Sequence, residues 1–333
     1  MRRREFITLV GSVATLPFAA RAQQVTKTYH IALVHPSLSV ADMNETSNPS
    51  YTVLFKELRR LGYTEGGNLV ITRYSGEGRE ERFPELCHEV VSTNPDIIVT
   101  NTSRLVLGFK RATDTIPVVA VMADPVPFGI VTSLARPGGN ITGVSVEAGT
   151  DIWGKRLQVL RETVPTASKV GYLGSRQMWD LPQVNALREA ARPLGISLLG
   201  PPLESPLQGK EYRRVLGAMT QEHVDGVIIS DQGEHFPNRQ LIVDLVRAAQ
   251  LPTIFPFREY FEIGALMVYG PSTSDLWRRL AGYIDQILNG APAGESPIYL
   301  ASKYELLINL TTAKALGLRI PDSLLVRADE VIE

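Results

Sequence analysis

The chain has 333 residues, of which 44% are hydrophobic and 21% charged, as is typical of a globular protein. The formal net charge is −1, and it becomes −4 without residues 1–22, which hold four Arg and one Glu. A mildly acidic chain without runs of like charge lacks the basic surface of a nucleic-acid-binding protein. The single cysteine, Cys87, excludes an intramolecular disulfide, a cysteine-rich zinc site and a CxxC redox pair.

The N-terminus has the three parts of a secretory signal. Arg2, Arg3 and Arg4 form a basic segment, an apolar run begins at Phe6, and 20–22 is a small-x-small cleavage site. The apolar run is shorter than the ~20 residues that span a bilayer. We therefore predict a signal peptide over residues 1–22 and a free periplasmic protein, since no cysteine follows the cleavage site to carry a lipid. The paired arginines leave both the Sec and the twin-arginine routes open.

Beyond residue 28, short apolar runs alternate with longer amphipathic ones. The first series predicts strands at 30–34, 69–74, 96–100, 117–121 and 141–144, with helices at 51–61, 83–91, 105–112 and 128–134. The second predicts helices at 152–164, 183–193, 212–221 and 239–249, with strands at 169–173, 196–199, 226–230, 253–255 and 266–269. Runs such as DIIVT and GVIIS are typical of parallel strands covered on both faces. The sequence therefore predicts an α/β protein with two doubly wound parallel-sheet lobes.

The two series meet at 136–143, whose Gly and Pro residues suit a crossover between lobes. A helix at 276–288 and a strand at 297–300 follow the second series, which is already complete without them. This favours a return of the chain to the first lobe. We therefore predict that lobe 1 comprises residues 23–144 and 272–303, and lobe 2 residues 145–271 and 304–333. Such an arrangement requires a hinge of more than one strand.

Ligands bind to open parallel sheets beyond the carboxyl ends of the strands. The candidates at strand ends are His35, Ser37, Asn101, Thr102, Ser103 and Asp124 in the first lobe, and Asp231, Gln232, Phe257, Arg258 and Tyr269 in the second. If the two sets of strand ends face each other, they enclose a cleft for a small polar or amino-acid-like ligand.

The candidate residues suggest how such a ligand is held. A helix N-terminus binds a carboxylate, and Asp124 or Asp231 would hold an ammonium group. Without an ammonium, Phe257 and Tyr269 would hold a neutral or aromatic ligand instead. Two assignments have structural alternatives: Thr102 and Ser103 could cap the helix at 105–112, and Asp124 could be a turn residue before a proline.

Catalytic and cofactor motifs are absent from the sequence. It has no GxSxG, no HExxH, no P-loop and no strand-linked GxGxxG. The five histidines, at positions 30, 35, 88, 223 and 235, show no metal-ligand spacing. The sequence therefore predicts a binding protein with no enzymatic activity, no cofactor and no metal.

Residues 29–333 resemble, nearly end to end, the ABC transporter substrate-binding proteins of the tryptophan/tyrosine-binding-protein type. The resembling stretches are LFKELRRLGYTEGGNLVI, PDIIVTNTS, IPVVAVMADPV, SLARPGGNITGVS, FPFREYFEIGALMVYGP and the C-terminal YELLINLTTAKALGLRIPDSLLVRADEVIE. The resemblance implies the type I periplasmic binding fold, with two lobes that close on a small-molecule ligand. It also implies an ABC permease and its ATPase in the inner membrane as partners of a monomeric receptor. A periplasmic sensor for a membrane kinase or chemoreceptor, and a secreted α/β enzyme, are the alternative functions.

Overall fold

The computed structural model describes residues 27–147 and 149–333, so the predicted signal peptide at 1–22 lies outside the described residues. Numbered along the chain, the strands are β1 (Tyr29–His35), β2 (Leu69–Ser75), β3 (Ile97–Asn101), β4 (Val118–Met122), β5 (Ile141–Ser145), β6 (Lys169–Leu173), β7 (Ser197–Leu199), β8 (Gly226–Ile229), β9 (Thr253–Phe255), β10 (Met267–Pro271), β11 (Tyr299–Leu300), β12 (Tyr304–Asn309) and β13 (Glu330–Ile332).

Helices alternate with most of these strands. They are α1 (Pro49–Arg60), α2 (Phe83–Ser92), α3 (Ser103–Ala112), α4 (Asp151–Thr163), α5 (Arg176–Trp179), α6 (Pro182–Ala191), α7 (Gly209–Gln221), α8 (Arg239–Ala248), α9 (Arg258–Phe261), α10 (Thr273–Leu288), α11 (Leu310–Ala315) and α12 (Asp322–Leu325). In the described part of the chain, no helix has the length and apolar content needed to cross a membrane.

The strands form two sheets, as the sequence predicts. The first has the order β11-β5-β4-β3-β1-β2 and is parallel throughout. The second has the order β13-β12-β10-β9-β8-β6-β7, in which β12 pairs antiparallel with β10. In the first sheet β2 lies on one side of β1 and all later strands lie on the other side, so the strand order reverses between β1 and β3. In the second sheet the order reverses in the same way between β6 and β8. Crevices at such reversals are the usual ligand sites of parallel sheets.

The chain passes between the two sheets three times. It leaves the first sheet after β5, returns after β10 to place α10 and β11 on the first sheet, and leaves again between β11 and β12. The expected crossover at 136–143 is wrong, because this stretch leads into β5 and the Gly138 amide donates to the Gly294 carbonyl at 3.0 Å within the first lobe. The exact residue limits of the lobes remain a prediction.

Each sheet is covered on both faces by apolar side chains. In the first lobe, one face packs Leu54 and Ile284 and the other packs Cys87 and Phe109. The corresponding faces of the second sheet carry two further buried clusters, one from α4 and α6 and one from α7 and α8. Since β-branched side chains fill both faces, the β-strand ends are the places where polar residues come together.

Helix α1 shows how the sequence places a helix start near the strand ends. The Asn48 side chain accepts hydrogen bonds from the Ser50 and Tyr51 amides at 2.9 and 3.3 Å, and Pro49 occupies the first turn. Tyr51, Leu54, Phe55 and Leu58 are buried at helical spacing. The polar N-terminus of α1 therefore lies at the sheet edge while its apolar side packs on the core.

One predicted helix is wrong, and the end of the chain holds elements that were not predicted. Residues 128–134 form turns, because Pro125, Pro127 and Gly129 break the segment and the Ile130 amide donates back to the Pro125 carbonyl at 2.9 Å. Strand β12 and strand β13 extend the second sheet, although no strand was expected beyond residue 300.

Strands β9 and β10 approach each other closely at Gly270, and a substitution there tests this packing. A Cβ at this position would lie 1.6 Å from the Pro256 carbonyl oxygen, so alanine must push two paired strands apart. We expect Gly270→Ala to lower the free energy of unfolding by about 1–3 kcal/mol or more, measured by urea denaturation. The control is Gly282→Ala within α10, where a Cβ meets nothing within 4 Å and the helix should gain up to about 1 kcal/mol. Equal stabilities of the two variants would contradict this packing.

Candidate functional site

A cavity of about 140 Å³ lies between the two lobes, at the carboxyl ends of both sets of strands. Seven of the residues predicted from strand ends line it: His35, Asn101, Thr102 and Ser103 from the first lobe, and Asp231, Gln232 and Phe257 from the second. The strand ends therefore do face each other across one cavity.

The other four predicted residues lie elsewhere. Ser37 lines a neighbouring groove, and Asp124 accepts a hydrogen bond from the Val126 amide at 3.2 Å, the turn that was its structural alternative. Arg258 is held by Glu305 and Glu330, and the Tyr269 ring stacks on Tyr304. None of the four contributes to the wall of the cavity between the lobes.

Further residues that were not predicted from the sequence also line the cavity. Its aromatic and sulfur-containing lining residues include Tyr51, Met122, Phe128, Met178, Phe236 and Trp277, and its other polar lining residues include Asn48, Ser50, Arg104, Ser175, Gln177, Glu234, Glu259 and Thr273. Many of these lie at helix N-termini that follow a strand, such as Ser50 in α1 and Thr273 in α10. Reading the first helical turn after each strand, and not only the strand end, would have found them.

Thr102 caps α3 and approaches the second lobe. Its hydroxyl accepts from the Leu105 amide at 3.5 Å, so the capping role considered for it is present. Its φ of 75° is unusual for a threonine and holds the side chain at the sheet edge. A Cβ on Gly233 would lie 2.3 Å from Thr102 Cγ2, so a glycine is needed where the lobes meet.

Asp231 forms a buried ion pair with Arg156. Both side chains are fully buried, and the two Arg Nη atoms contact Oδ1 and Oδ2 at 2.5 and 3.3 Å. Arg156 Nε also donates to the Tyr269 carbonyl at 2.9 Å. Each carboxylate oxygen of Asp231 therefore already has a charged partner within the protein, in contrast to the free carboxylate that was expected to hold a ligand ammonium.

His35 determines the orientation of Asn101. Burial lowers the pKa of His35 to about 3, so the ring is neutral at pH 7. Its Nδ1 accepts from the amides of Ser37 and Leu38 at 3.0 and 2.8 Å, so the proton is on Nε2. The Asn101 amide lies 3.3 Å from Nε2 and must present its oxygen there. The NH2 group of Asn101 is then left as a donor without a protein partner.

Three further polar groups of the lining residues have no partner among the residues that the structure describes. They are the Tyr51 hydroxyl, Gln232 Nε2 and Glu259 Oε2, and each atom is buried. Gln232 is fixed because its Oε1 accepts from the Ser175 amide at 2.7 Å, which turns its NH2 group away from that contact. Buried polar groups without partners are rare in native proteins and cost about 1–3 kcal/mol each. The residues that line the cavity therefore hold three donors and one carboxylate oxygen that lack a partner in the described part of the chain.

Glu147 lies behind this wall, two residues after β5, and is almost fully buried. Its Oε2 accepts from Gln183 Nε2 at 2.7 Å. Burial, followed by the nearby charge of Asp231, raises the pKa of Glu147 to about 8. Glu147 is thus largely protonated at pH 7 and adds little negative charge to the cavity.

The lobes are joined over the cavity by Arg104. Its Nε lies 3.2 Å from Glu234 Oε1 of the second lobe, and its Nη1 pairs with Glu80 of the first. The His35 and Phe236 rings, also from opposite lobes, are 6.4 Å apart. These contacts describe a closed arrangement of the two lobes.

The described residues of this site are not arranged to bind a metal ion, and Cys87 is not among the residues that line the cavity. Among residues 27–147 and 149–333, no group of His, Cys, Asp or Glu side chains is arranged to hold a metal ion. Cys87 is buried in the first lobe away from the cavity, and burial raises the pKa of its thiol to about 12.

The fold and the cavity define a two-lobed protein with a candidate small-molecule site between its lobes. Residues 47–332 match the family described as ABC transporter substrate binding protein, so the chain belongs to this family and is a substrate-binding protein of an ABC transporter. This confirms the resemblance seen in the sequence.

Individual relatives are more distant. A tyrosine-binding protein of Clostridioides difficile (strain R20291) is 22% identical over 287 residues, which cover 86% of this chain and 79% of that protein. A conserved domain protein from Vibrio cholerae has a TM-score of 0.81 at 23% identity, covering 92% of this chain and all of that one. The ABC domain from Streptococcus pneumonia in complex with L-Trp has a TM-score of 0.79 at 22% identity, with the same coverage. At these identities the solved structures confirm the fold of two parallel-sheet lobes.

The ion pair of Asp231 and Arg156 should contribute strongly to folding. Asp231→Asn leaves the fully buried Arg156 charge without its counter-ion, and such losses cost about 3–5 kcal/mol. We expect a decrease of that size in the free energy of unfolding, measured by guanidinium denaturation. The control is Asp244→Asn, which removes an exposed ion pair with Arg247 and should cost less than about 1 kcal/mol. A stability for Asp231→Asn within 1 kcal/mol of the wild type would contradict this role.

Proposed function

We propose that the protein is the periplasmic receptor of an ABC importer and captures an amino-acid-like ligand in the cavity between its lobes. One observation carries this proposal: residues from both lobes that line one cavity hold polar groups without a partner in the described part of the chain. A ligand that bonds to both sets at once makes closure favourable, because only the closed form satisfies all of them.

The polar groups match the two ends of an amino acid. The NH2 groups of Asn101 and Gln232 and the hydroxyl of Tyr51 are donors suited to a carboxylate. The first is free in the orientation argued above, and the other two have no partner among the described residues. The cavity also receives the N-terminal turn of α3, where the helix dipole favours negative charge. A carboxylate with an amino group nearby therefore fits this donor and acceptor set.

The rest of the cavity suits an apolar or aromatic side chain. Tyr51 and Trp277 form an edge-to-face pair with ring centroids 5.4 Å apart, and Phe128, Phe236 and Phe257 add further aromatic surface. The relatives named for tyrosine and solved with L-Trp support an aromatic amino acid as the first candidate. The fold of this chain is more similar to the L-Trp complex, with a TM-score of 0.79, than to the ligand-free, open structure of CD0873 from Clostridium difficile, with a TM-score of 0.63.

The family and the N-terminal sequence support a proposal for the place of action and the partners. We infer export by the signal at residues 1–22, with cleavage after Ala22, and function as a monomer without catalytic activity. The partners would be an ABC permease and its ATPase in the inner membrane, to which the closed, loaded form is presented.

A thermal-shift screen tests the proposal. Protein freed of co-purified ligand is titrated with the twenty amino acids, their deaminated acids, their decarboxylated amines and a set of sugars. A ligand at a hundredfold excess over Kd stabilises the native state by about 2.7 kcal/mol, so we expect a shift of several degrees for at least one amino acid, L-tryptophan and L-tyrosine first. No shift with any amino acid, or shifts with sugars alone, would contradict an amino-acid receptor.

A further inference from the structure

The charges around the cavity do not balance. The charged residues that line it are Arg104, Asp231, Glu234 and Glu259. Asp231 is matched by Arg156, whereas Arg104 is shared between Glu234 and Glu80, so one cation serves two acids. Glu259 has no ion pair in the described part of the chain. Among the residues that line the cavity, the acids therefore outnumber the cations.

Glu259 is the group most clearly in need of a partner. It is the second residue of the short helix α9 and lines the cavity, and its Oε2 is buried with no hydrogen-bond partner among the described residues. Burial raises the pKa of its carboxyl group, as expected where an ionised form lacks a counter-ion.

The two arginines nearest in sequence or space are engaged elsewhere. Arg258 is bound to Glu305 and Glu330 on the far side of α9. Arg239 lies over the Phe236 ring, 4.4 Å from its centroid, and donates to the Phe236 carbonyl at 3.0 Å. Neither arginine forms an ion pair with Glu259 among the described residues, although the positive charge of each lowers the pKa of its carboxyl group. A cation in direct contact with Glu259 Oε2 would therefore have to come from a ligand.

We propose that Glu259 binds the amino group of the ligand and thereby restricts the receptor to ligands that carry an ammonium. This inference rests on the proposed function and deepens it. It replaces Asp231, the carboxylate expected from the sequence to take this role, with a carboxylate whose oxygen is still free. A ligand ammonium supplies both the missing positive charge and the donor that Oε2 lacks.

The selectivity that follows is specific. A deaminated analogue keeps the carboxylate and the aromatic ring but leaves Glu259 buried without a partner. Because the buried charge of Glu259 then has no partner, the affinity for the deaminated analogue should be at least about thirtyfold lower than the affinity for the amino acid. The variant Glu259→Gln keeps the shape of the side chain and removes its charge. It should therefore bind the amino acid and the deaminated analogue with more similar affinities.

The experiment is isothermal titration calorimetry with L-tryptophan, indole-3-propionate and any other amino acid that shifts the melting temperature, paired with its deaminated acid. Wild type should prefer the amino acid by at least about thirtyfold, and Glu259→Gln should lose most of this preference by binding the amino acid more weakly. The matched control is Glu262→Gln, an exposed residue next to α9 that does not line the cavity and should behave as wild type. Circular dichroism and melting without ligand should show Glu259→Gln to be folded and at least as stable as wild type.

The outcomes separate this inference from the proposed function. Tight binding of the deaminated acid by wild type, or unchanged affinity of Glu259→Gln for the amino acid, overturns the role of Glu259 and leaves a receptor that uses another contact or a neutral Glu259. Binding of neither kind of compound by wild type overturns both proposals. Loss of the preference in Glu259→Gln, but not in Glu262→Gln, supports both.

Discussion

Buried polar groups at the carboxyl edges of the two sheets must find partners, and this requirement governs the whole molecule. Inside each lobe the sheets are sealed by apolar side chains on both faces, so polar residues collect where the strands end. When the lobes close, water is removed from these edges. Some groups then pair across or within the lobes, and the rest remain for a ligand.

The groups that pair within the protein form a fixed frame. Arg156 holds Asp231, the Ser175 amide holds Gln232, and the amides of Ser37 and Leu38 hold His35 in one tautomer. Since each of these side chains is already fixed before a ligand arrives, the remaining donors and the Glu259 carboxylate are preorganised, and little conformational entropy is lost on binding. Arg104 differs, because its ion pair joins the lobes only when they are closed.

The sheet architecture could be predicted from the sequence because buried parallel strands are marked by runs of β-branched residues. The seven cavity residues found in advance all lie at the last residue of such a strand or within three residues of it, as Asn101 ends β3 and Asp231 is two residues beyond β8. Periodicity failed at residues 128–134, where two prolines and a glycine turn an apolar stretch into the loop that carries Phe128 to the cavity.

Other features depend on contacts that no local pattern reveals. Arg156 and Asp231 are 75 residues apart in the chain, so the ion pair that occupies this aspartate could not be foreseen. Arg258 and Glu259 are adjacent, yet the short helix α9 turns one outward to Glu305 and the other into the cavity wall. Trp277 and Thr273 reach the site only because the chain returns to the first lobe after β10.

Small-angle X-ray scattering tests most directly whether a ligand closes the lobes over this cavity. The wild-type protein is measured without ligand and with the amino acid that stabilises it most, alongside Arg104→Gln, which loses the ion pair to Glu234. The account predicts that ligand lowers the radius of gyration of wild type to that of the closed structure, and that Arg104→Gln needs a higher ligand concentration to reach the same value. An unchanged radius of gyration at saturating ligand, equal to that of an open form, would contradict binding between the lobes.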